Sequence, residues 1–305
     1  FATTIPTSYR FIASISTFDY FKKDKLFSKN DKPAFNQKDE RFLKLKVALP
    51  FLSSKRLELG FGIAQIEDRY FQNNVIDFDK DKYDKSGYRL FGGSVSFNGS
   101  TLNSRQFPIQ GAREALVAQI FTGNESFRPG VNSENKKPVK EKHSWLQLSY
   151  MKEKYHKMGA NWILGWYLDA VYASKNFSEN YTATMMQASE FAPTAHSKLT
   201  YNEAFRANQY VAAGIRPIYR LNQMFHVRGE FYGFLPIFPI ERNSINKAYY
   251  GKAFSRFEYL GEISVVCQLP FGAISAYVNH YSSPRREWNV GLTLGWQLFN
   301  YRFIE

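Results

Sequence analysis

The sequence predicts an all-β chain folded as an antiparallel transmembrane β-barrel. Three observations lead there. Stretches of about ten residues alternate apolar and polar side chains, which period-two geometry turns to opposite faces of a sheet. The connections between them alternate short and long, the pattern of periplasmic turns and outer loops. Aromatic residues, 17% of the chain with 28 Phe and 20 Tyr, crowd the strand ends at Trp145, Trp162, Tyr172, Tyr219, Trp288 and Trp296, as barrel girdles require. A helical membrane protein is excluded, because no apolar run approaches the ~18 residues that a membrane helix needs.

Alternation and connections together predict twelve strands, at 8–21, 41–50, 56–71, 87–97, 101–123, 143–155, 160–175, 203–220, 223–235, 256–269, 273–281 and 288–300. In the third, Leu57, Leu59, Phe61 and Ile63 alternate with Glu58, Gly60, Gly62 and Ala64. The fifth contains Pro108, which cannot donate to a ladder, so a bulge or edge feature is expected there. In the ninth, Phe225, Val227, Phe231 and Leu235 oppose His226, Arg228, Glu230 and Tyr232. The tenth sets Tyr259, Ile263, Val265, Cys267 and Leu269 against Glu258, Glu262, Ser264 and Gln268. The twelfth is the clearest: Trp288, Val290, Leu292, Leu294, Trp296 and Leu298 on one face, Asn289, Gly291, Thr293, Gly295 and Gln297 on the other. Leu57, Phe61, Leu292 and Leu294 are expected to face lipid, and Glu58, Glu262, Thr293 and Gln297 to face inward. Half-buried strands of a soluble sandwich alternate in the same way. Strand length, loop alternation and aromatic placement favour the barrel. No helix longer than a turn or two and no domain boundary is expected, so residues 1–305 read as one barrel domain.

Chemistry-bearing motifs are sparse. The single cysteine, Cys267, cannot form an internal disulfide or a cysteine-built metal site. The five histidines, His143, His156, His196, His226 and His280, stand at no metal-ligand spacing with one another or with the cysteine. Gly92-Gly93-Ser94-Val95-Ser96 lacks the last glycine of a hydrolase nucleophile elbow and reads as a strand with small inward residues. Asp77-Phe78-Asp79-Lys80-Asp81 lacks the turn glycine and distal Glu of a calcium loop and reads as a solvated loop. No phosphate-cradling glycine loop is present. The expected catalytic, cofactor and metal residues are therefore none. The formal charge is +13, and two loops are basic: Lys22, Lys23, Lys25, Lys29 and Lys32 lie in one, Lys136, Lys137, Lys140 and Lys142 in the other. On an outer surface these would meet lipopolysaccharide phosphates; as ordinary exposed loops they need no partner. Nucleic acid is not an expected partner. The chain opens at Phe1 with no signal peptide and reads as a mature chain or a fragment.

The order of short motifs after residue 140 resembles a known family. Phe191-Ala192-Pro193-Thr194, Phe205-Arg206-Ala207-Asn208, Gly214-Ile215-Arg216-Pro217-Ile218-Tyr219, Leu269-Pro270-Phe271-Gly272 and Gly291-Leu292-Thr293-Leu294-Gly295-Trp296-Gln297-Leu298-Phe299-Asn300 are similar to the C-terminal barrel of outer-membrane patatin-like phospholipases. That barrel belongs to the bacterial surface antigen superfamily, shared with the barrel-assembly factors. The resemblance implies a bacterial outer-membrane location and a sixteen-stranded barrel of which these twelve strands are the last. It implies a Ser–Asp lipid acyl hydrolase domain and a connector upstream, neither of which has a counterpart here. In the superfamily an Arg-Gly-aromatic motif pins a long folded-in loop to the barrel wall. Phe205-Arg206-Ala207 matches its place, with alanine for the glycine and the aromatic before the arginine.

The implied function is an outer-membrane anchor or conduit for a patatin-like phospholipase domain upstream. The alternatives are a stand-alone porin or transporter barrel and a soluble lipid-binding β protein. The expected site is structural: Arg206 pairs with Glu230 inside the lumen, where His226, Arg228, Glu258 and Glu262 also face. The rival pairing joins Arg228 to Glu262 across neighbouring strands and leaves Arg206 solvated.

Overall fold

The computed structural model describes residues 8–21, 35–52, 54–72, 83–131, 133–198, 200–270, 272–283, 288–295 and 303–304. Twelve long strands form one antiparallel sheet in chain order. They are β1 Ser8–Phe21, β2 Phe35–Leu52, β3 Lys55–Tyr70, β4 Asp84–Ser100, β5 Gly111–Arg128, β6 Val139–Lys157, β7 Trp162–Ala173, β8 Gln209–Arg220, β9 Phe225–Pro236, β10 Glu258–Leu269, β11 Gly272–Tyr281 and β12 Trp288–Gly295. The strands thus meet their sequence neighbours throughout, as a meander does. One seven-residue helix, α1 Tyr181–Gln187, is capped by the Asn180 side chain, which accepts from Ala183 N at 2.9 Å.

The sheet curls. The β7–β8 loop donates from Gln187 Nε2 to Asp68 on β3 at 2.5 Å and places His196 Nδ1 3.0 Å from Tyr281 Oη on β11. In a flat sheet β3 and β11 would stand about 38 Å apart, eight intervals of about 4.8 Å. A single loop touches both only if the sheet wraps around it.

The two faces of this wall differ as a bilayer demands. Register rows on the outer face read Leu45, Phe61, Gly93, Ile120, Leu146 and, one step along, Val47, Leu59, Val95, Ala118, Leu148. Phe61, Leu292 and Leu294 are 60%, 77% and 79% exposed, while Glu58 and Glu262 are buried on the inner face. Leu57 lies on the outer face half-buried, Thr293 on the inner face half-buried, and Gln297 lies outside the described residues. Hydrocarbon satisfies no polar group, so apolar side chains face out and charges face in. Aromatic pairs edge the outer band at both ends. Trp162 and Tyr219 (ring centroids 4.9 Å apart) mark the short-turn end, and Tyr259, His280 and Trp288, with successive centroids 5.9 and 4.9 Å apart, mark the long-loop end.

Two sequence expectations are corrected. The strand expected at 101–123 begins at Gly111. Residues 101–110 instead fold back, with Asn103 Oδ1 accepting from Ile109 N and Gln110 N at 3.0 Å each, Phe107 at φ 51° and Gly111 at φ 94°. A side chain at Gly111 would sit 2.1 Å from Thr101 O, so glycine is required where the chain re-enters the wall. Pro108 does not bulge a strand; it tips this loop under the lumen. Likewise the strand expected at 203–220 starts at Gln209. Its leading residues form a 3-10 turn, Glu203–Phe205, and a two-residue ladder in which Glu190 faces Arg206 and Ser189 faces Ala207.

Candidate functional site in the lumen

Two loops fill the interior from opposite ends. The 101–110 loop closes the short-turn side: Leu102 and Ile109 pack on Tyr155, Ile163 and Ile218, and Gln268 Nε2 on β10 reaches Ser104 Oγ at 3.4 Å. The 174–208 loop enters from the long-loop side. Its α1 is buried along Thr182–Gln187, and Phe191 and Phe205 pack with Tyr210, Tyr232, Phe234 and Tyr281. Phe191 stacks on Phe234 with centroids 5.6 Å apart. A short hairpin, Ile240–Arg242 with Ala248–Tyr250, lies over α1, where Ile240 and Ala248 meet Met185 and Ala188. Aromatic bulk thus projects into the interior of the wall.

Between the loops lies a buried ionic cluster. Arg216 of β8 donates to Glu153 of β6, to Tyr155 Oη at 2.5 Å and to Tyr232 Oη at 2.6 Å. Arg228 of β9 donates to Glu230, to Tyr155 Oη at 2.9 Å and to the Pro108 carbonyl at 2.8 Å. Tyr232 donates to Glu230, whose carboxylate also lies 3.8 Å from Arg216 Nε. The guanidinium of Arg216 stacks 4.7 Å from the Tyr167 ring. Gly214 makes this possible: a side chain there would meet the Tyr232 ring at 2.2 Å. Each guanidinium offers five donors in a fixed fork, and two forks, two carboxylates and two phenols satisfy one another here. The arrangement welds β6, β8, β9 and the 101–110 loop. It presents no nucleophile–base pair.

The expected Arg206–Glu230 pair is replaced. Arg206 Nη2 binds Glu190 at 2.8 Å, its Nη1 donates to the carbonyls of Met185, Met186 and Ala188 at 3.4–3.5 Å, and the guanidinium lies 4.7 Å from the Tyr201 ring. The reason is register. Ile215 pairs with Phe231, which brings the next inward residue, Arg216, beside Glu230. Arg206 precedes the strand and stays inside its own loop. The rival Arg228–Glu262 pairing is also absent, since Arg228 turns to Glu230. Glu230 and Glu262 are themselves register partners on β9 and β10, and the arginines meet the repulsion such a pair creates. Glu262 accepts from Asn279 Nδ2 at 3.3 Å, Glu258 accepts from Arg256 Nε at 2.6 Å and from Ser282, and His226 is buried on the inner face. Arg216, Glu153 and Tyr155 escaped sequence reasoning, although Glu153 and Tyr155 share one parity on β6, and Arg216 interrupts an apolar inward set on β8.

At the long-loop end, Glu125, Glu141 and His143 bring one potential metal-ligand atom each within 4.8 Å of one another. His143 Nε2 and Glu125 Oε2, 2.7 Å apart, already satisfy each other, and Glu141 is exposed. Lys175, on the loop just past β7, stands over the rings of Trp145 and Tyr88 at 4.6 and 5.5 Å. Burial pushes its amine down to about 7. Gly92, Ser94 and Ser96 lie on the inner parity of β4 as ordinary strand residues. Lys22–Lys32 and Asp77–Asp81 lie outside the described residues.

No protein-family model and no curated protein matches the chain. Solved structures do. BamA from Haemophilus ducreyi, lacking POTRA domains 1–3, superposes with a TM-score of 0.58 at 11% identity, over 95% of this chain and 58% of that one. The fold is that of the bacterial outer-membrane β-barrels. The chain spans a little over half the length of that relative. The transport unit of the autotransporter AIDA-I from Escherichia coli aligns with a TM-score of 0.43 at 10% identity, over 95% of this chain and 88% of that one. The β domain of the Bordetella autotransporter BrkA gives 0.37 at 9%, over 94% and 95%.

Proposed function

We propose that this barrel sits in the bacterial outer membrane as the anchor of an attached domain, and that it is not a stand-alone open porin. The observation that carries this is the lumen: the 101–110 loop is bound by Arg228 of the buried ionic cluster, and the 174–208 loop packs Phe191 and Phe205 among Tyr210, Tyr232, Phe234 and Tyr281 inside the wall. A porin leaves its interior polar and water-filled. The motif series after residue 140 supports a patatin-like lipid acyl hydrolase as the attached domain, lying upstream of residues 1–305, which we read as a single barrel domain. The catalytic dyad belongs to that domain, and this chain supplies membrane retention.

Planar-bilayer recording tests the reading. The intact chain is expected to give no steady conductance, and removal of residues 176–205 is expected to open one. A steady ohmic current through the intact chain overturns the anchor reading in favour of the porin. The nature of the attached domain is tested separately, by extending the encoding gene upstream and asking whether a Gly-x-Ser-x-Gly elbow appears.

A further inference from the structure

The outer wall of β2–β6 turns polar just beyond the level of Leu43, Ile63 and Phe91. Arg41, Gln65, Arg89, Asn124 and Lys142 are successive register partners across five strands. All five share the outward parity, and this row carries three cations and no acid. Adjacent strands lie about 4.8 Å apart, so the cations, on alternate strands, stand about 10 Å from one another. The acids nearest on the same wall, Asp39 and Glu67, are held by Arg69 at 3.2 and 2.7 Å. One residue pair closer to the membrane centre, Leu43, Ile63 and Phe91 continue the same strands. Cations and apolar side chains together line a shallow concavity of about 1110 Å³. The opposite sector of the same rim, on β10–β12, ends instead in the Tyr259–His280–Trp288 stack. The cationic ledge is therefore local to one side of the barrel.

We propose that this ledge is a binding site for a lipid that carries two phosphates on one headgroup above several acyl chains, as the lipopolysaccharide of an outer leaflet does. Arg41, Arg89 and Lys142 hold the phosphates, and Leu43, Ile63 and Phe91 receive the chains. A single-phosphate lipid engages one end of a row that spans about 20 Å, four strand intervals. A two-phosphate headgroup bridges neighbouring cations, and planar guanidinium forks suit phosphate oxygens. Gln65 and Asn124, between the cations, supply amide donors to the sugar or phosphate without adding charge. The proposal rests on the outer-membrane reading above, with the long-loop end outward.

The test uses the full chain folded in neutral detergent and titrated with bis-phosphoryl lipid A, monophosphoryl lipid A and a phosphate-free glycolipid of equal chain number, with bound lipid counted by native mass spectrometry. Bis-phosphoryl lipid is expected to bind at least tenfold more tightly than the phosphate-free one, the worth of one charge-assisted contact. Raising the salt should narrow the gap. The variant R41Q/R89Q/K142Q is expected to remove the preference, while K252Q, on another loop, keeps it. If the triple variant fails to fold, the salt titration of the unaltered chain and R89Q alone carry the same test. Equal binding of all three lipids, an unchanged preference in the variant, or a second protein copy occupying the wall in place of lipid overturns the site. Brominated acyl chains separate the two levels. Quenching of the outward Trp162 and Trp288 without headgroup preference rejects this site alone, and absence of quenching rejects the membrane reading beneath it.

Discussion

Replacing Arg206 by alanine should free the inserted loop without dismantling the wall. Arg206 and Glu190 have side-chain exposures of 4% and 11% and lie 2.8 Å apart, so removal of the guanidinium takes the cation from a buried carboxylate. Breaking one side of such a pair costs about 3–5 kcal/mol. The three carbonyl contacts, at 3.4–3.5 Å, are at the long limit of hydrogen bonding and add little. The Tyr201 ring adds about 1–2 kcal/mol where the cation is desolvated. At 1.4 kcal/mol per decade, even the lower bound raises loop opening a hundredfold or more. Hydrogen exchange reads this locally: the Phe191 amide, which donates to Phe205 O at 2.9 Å, should exchange at least a hundredfold faster, and amides of β2 and β3 should not change. A double-mutant cycle then separates partners. R206M and E190Q should couple by about 2–4 kcal/mol, and R206M with E230Q by less than about 0.5. The reverse, coupling to Glu230 and additivity with Glu190, would refute the assignment of the loop's anchor.

Other consequences are equally open to measurement. I263R places a charge mid-strand on the outer face, where Ile263 is 64% exposed, and should cost about 2–4 kcal/mol in urea unfolding from vesicles; no loss would mean this face does not meet lipid. R216L removes the cation from the buried Glu153 carboxylate, which keeps the Tyr155 hydroxyl at 3.1 Å, and should lower stability by about 3–5 kcal/mol, with R216K restoring only part because an ammonium lacks the fork; full rescue by lysine would show that charge alone matters. G214V forces Tyr232 off Arg216 and should cost about 1–3 kcal/mol by overpacking, read from the same denaturation; a neutral effect would mean the ring has room to move. Lys175 titrates near 7 when folded and near 10.5 when unfolded. The unfolded chain therefore binds more protons between these values, so stability should rise as pH increases from about 7 to 10.5. Asp68 and Glu125 on facing strands, together with Lys38, modulate this field, and K175M should flatten the rise. A K175M profile that matches the unaltered chain removes Lys175 as the titrating group.

The legible part of this molecule was its wall. Trp288–Leu294 and Leu57–Ile63 show strict period two because each is lipid-facing on one side, and that constraint acts on every residue. It places Glu58, Glu258 and Glu262 inward without reference to any partner. The interior followed no such rule. Arg206 takes its partner from Glu190, sixteen residues earlier within one loop, where no periodicity connects them. Residues 101–110 read as the opening of a strand, yet Pro108 and the positive φ of Phe107 and Gly111 turn the chain inward. Sequence alternation reports which face a residue occupies, and it is silent about how far around a curled sheet its neighbour lies. Arg216 was legible in parity, a charge among inward apolar residues. Its alliance with Glu153 and Tyr155 depends on curvature.

The inserted loop has a consequence for how the chain reaches its fold. Its contacts with Asp68 on one side and Tyr281 on the other join segments 119 and 85 residues apart in the sequence. Meander pairing of adjacent strands is local and fast; contacts of such separation are slow, because loop-closure entropy is lost before they form. The loop acts as a mandrel. Strands β7 and β8 carry it as a hairpin insert, and the remaining sheet has a surface to roll against. A chain without it should still pair its strands, but with many curvatures of similar energy, and the fraction reaching a single heat-resistant form should fall even where the finished barrel is stable.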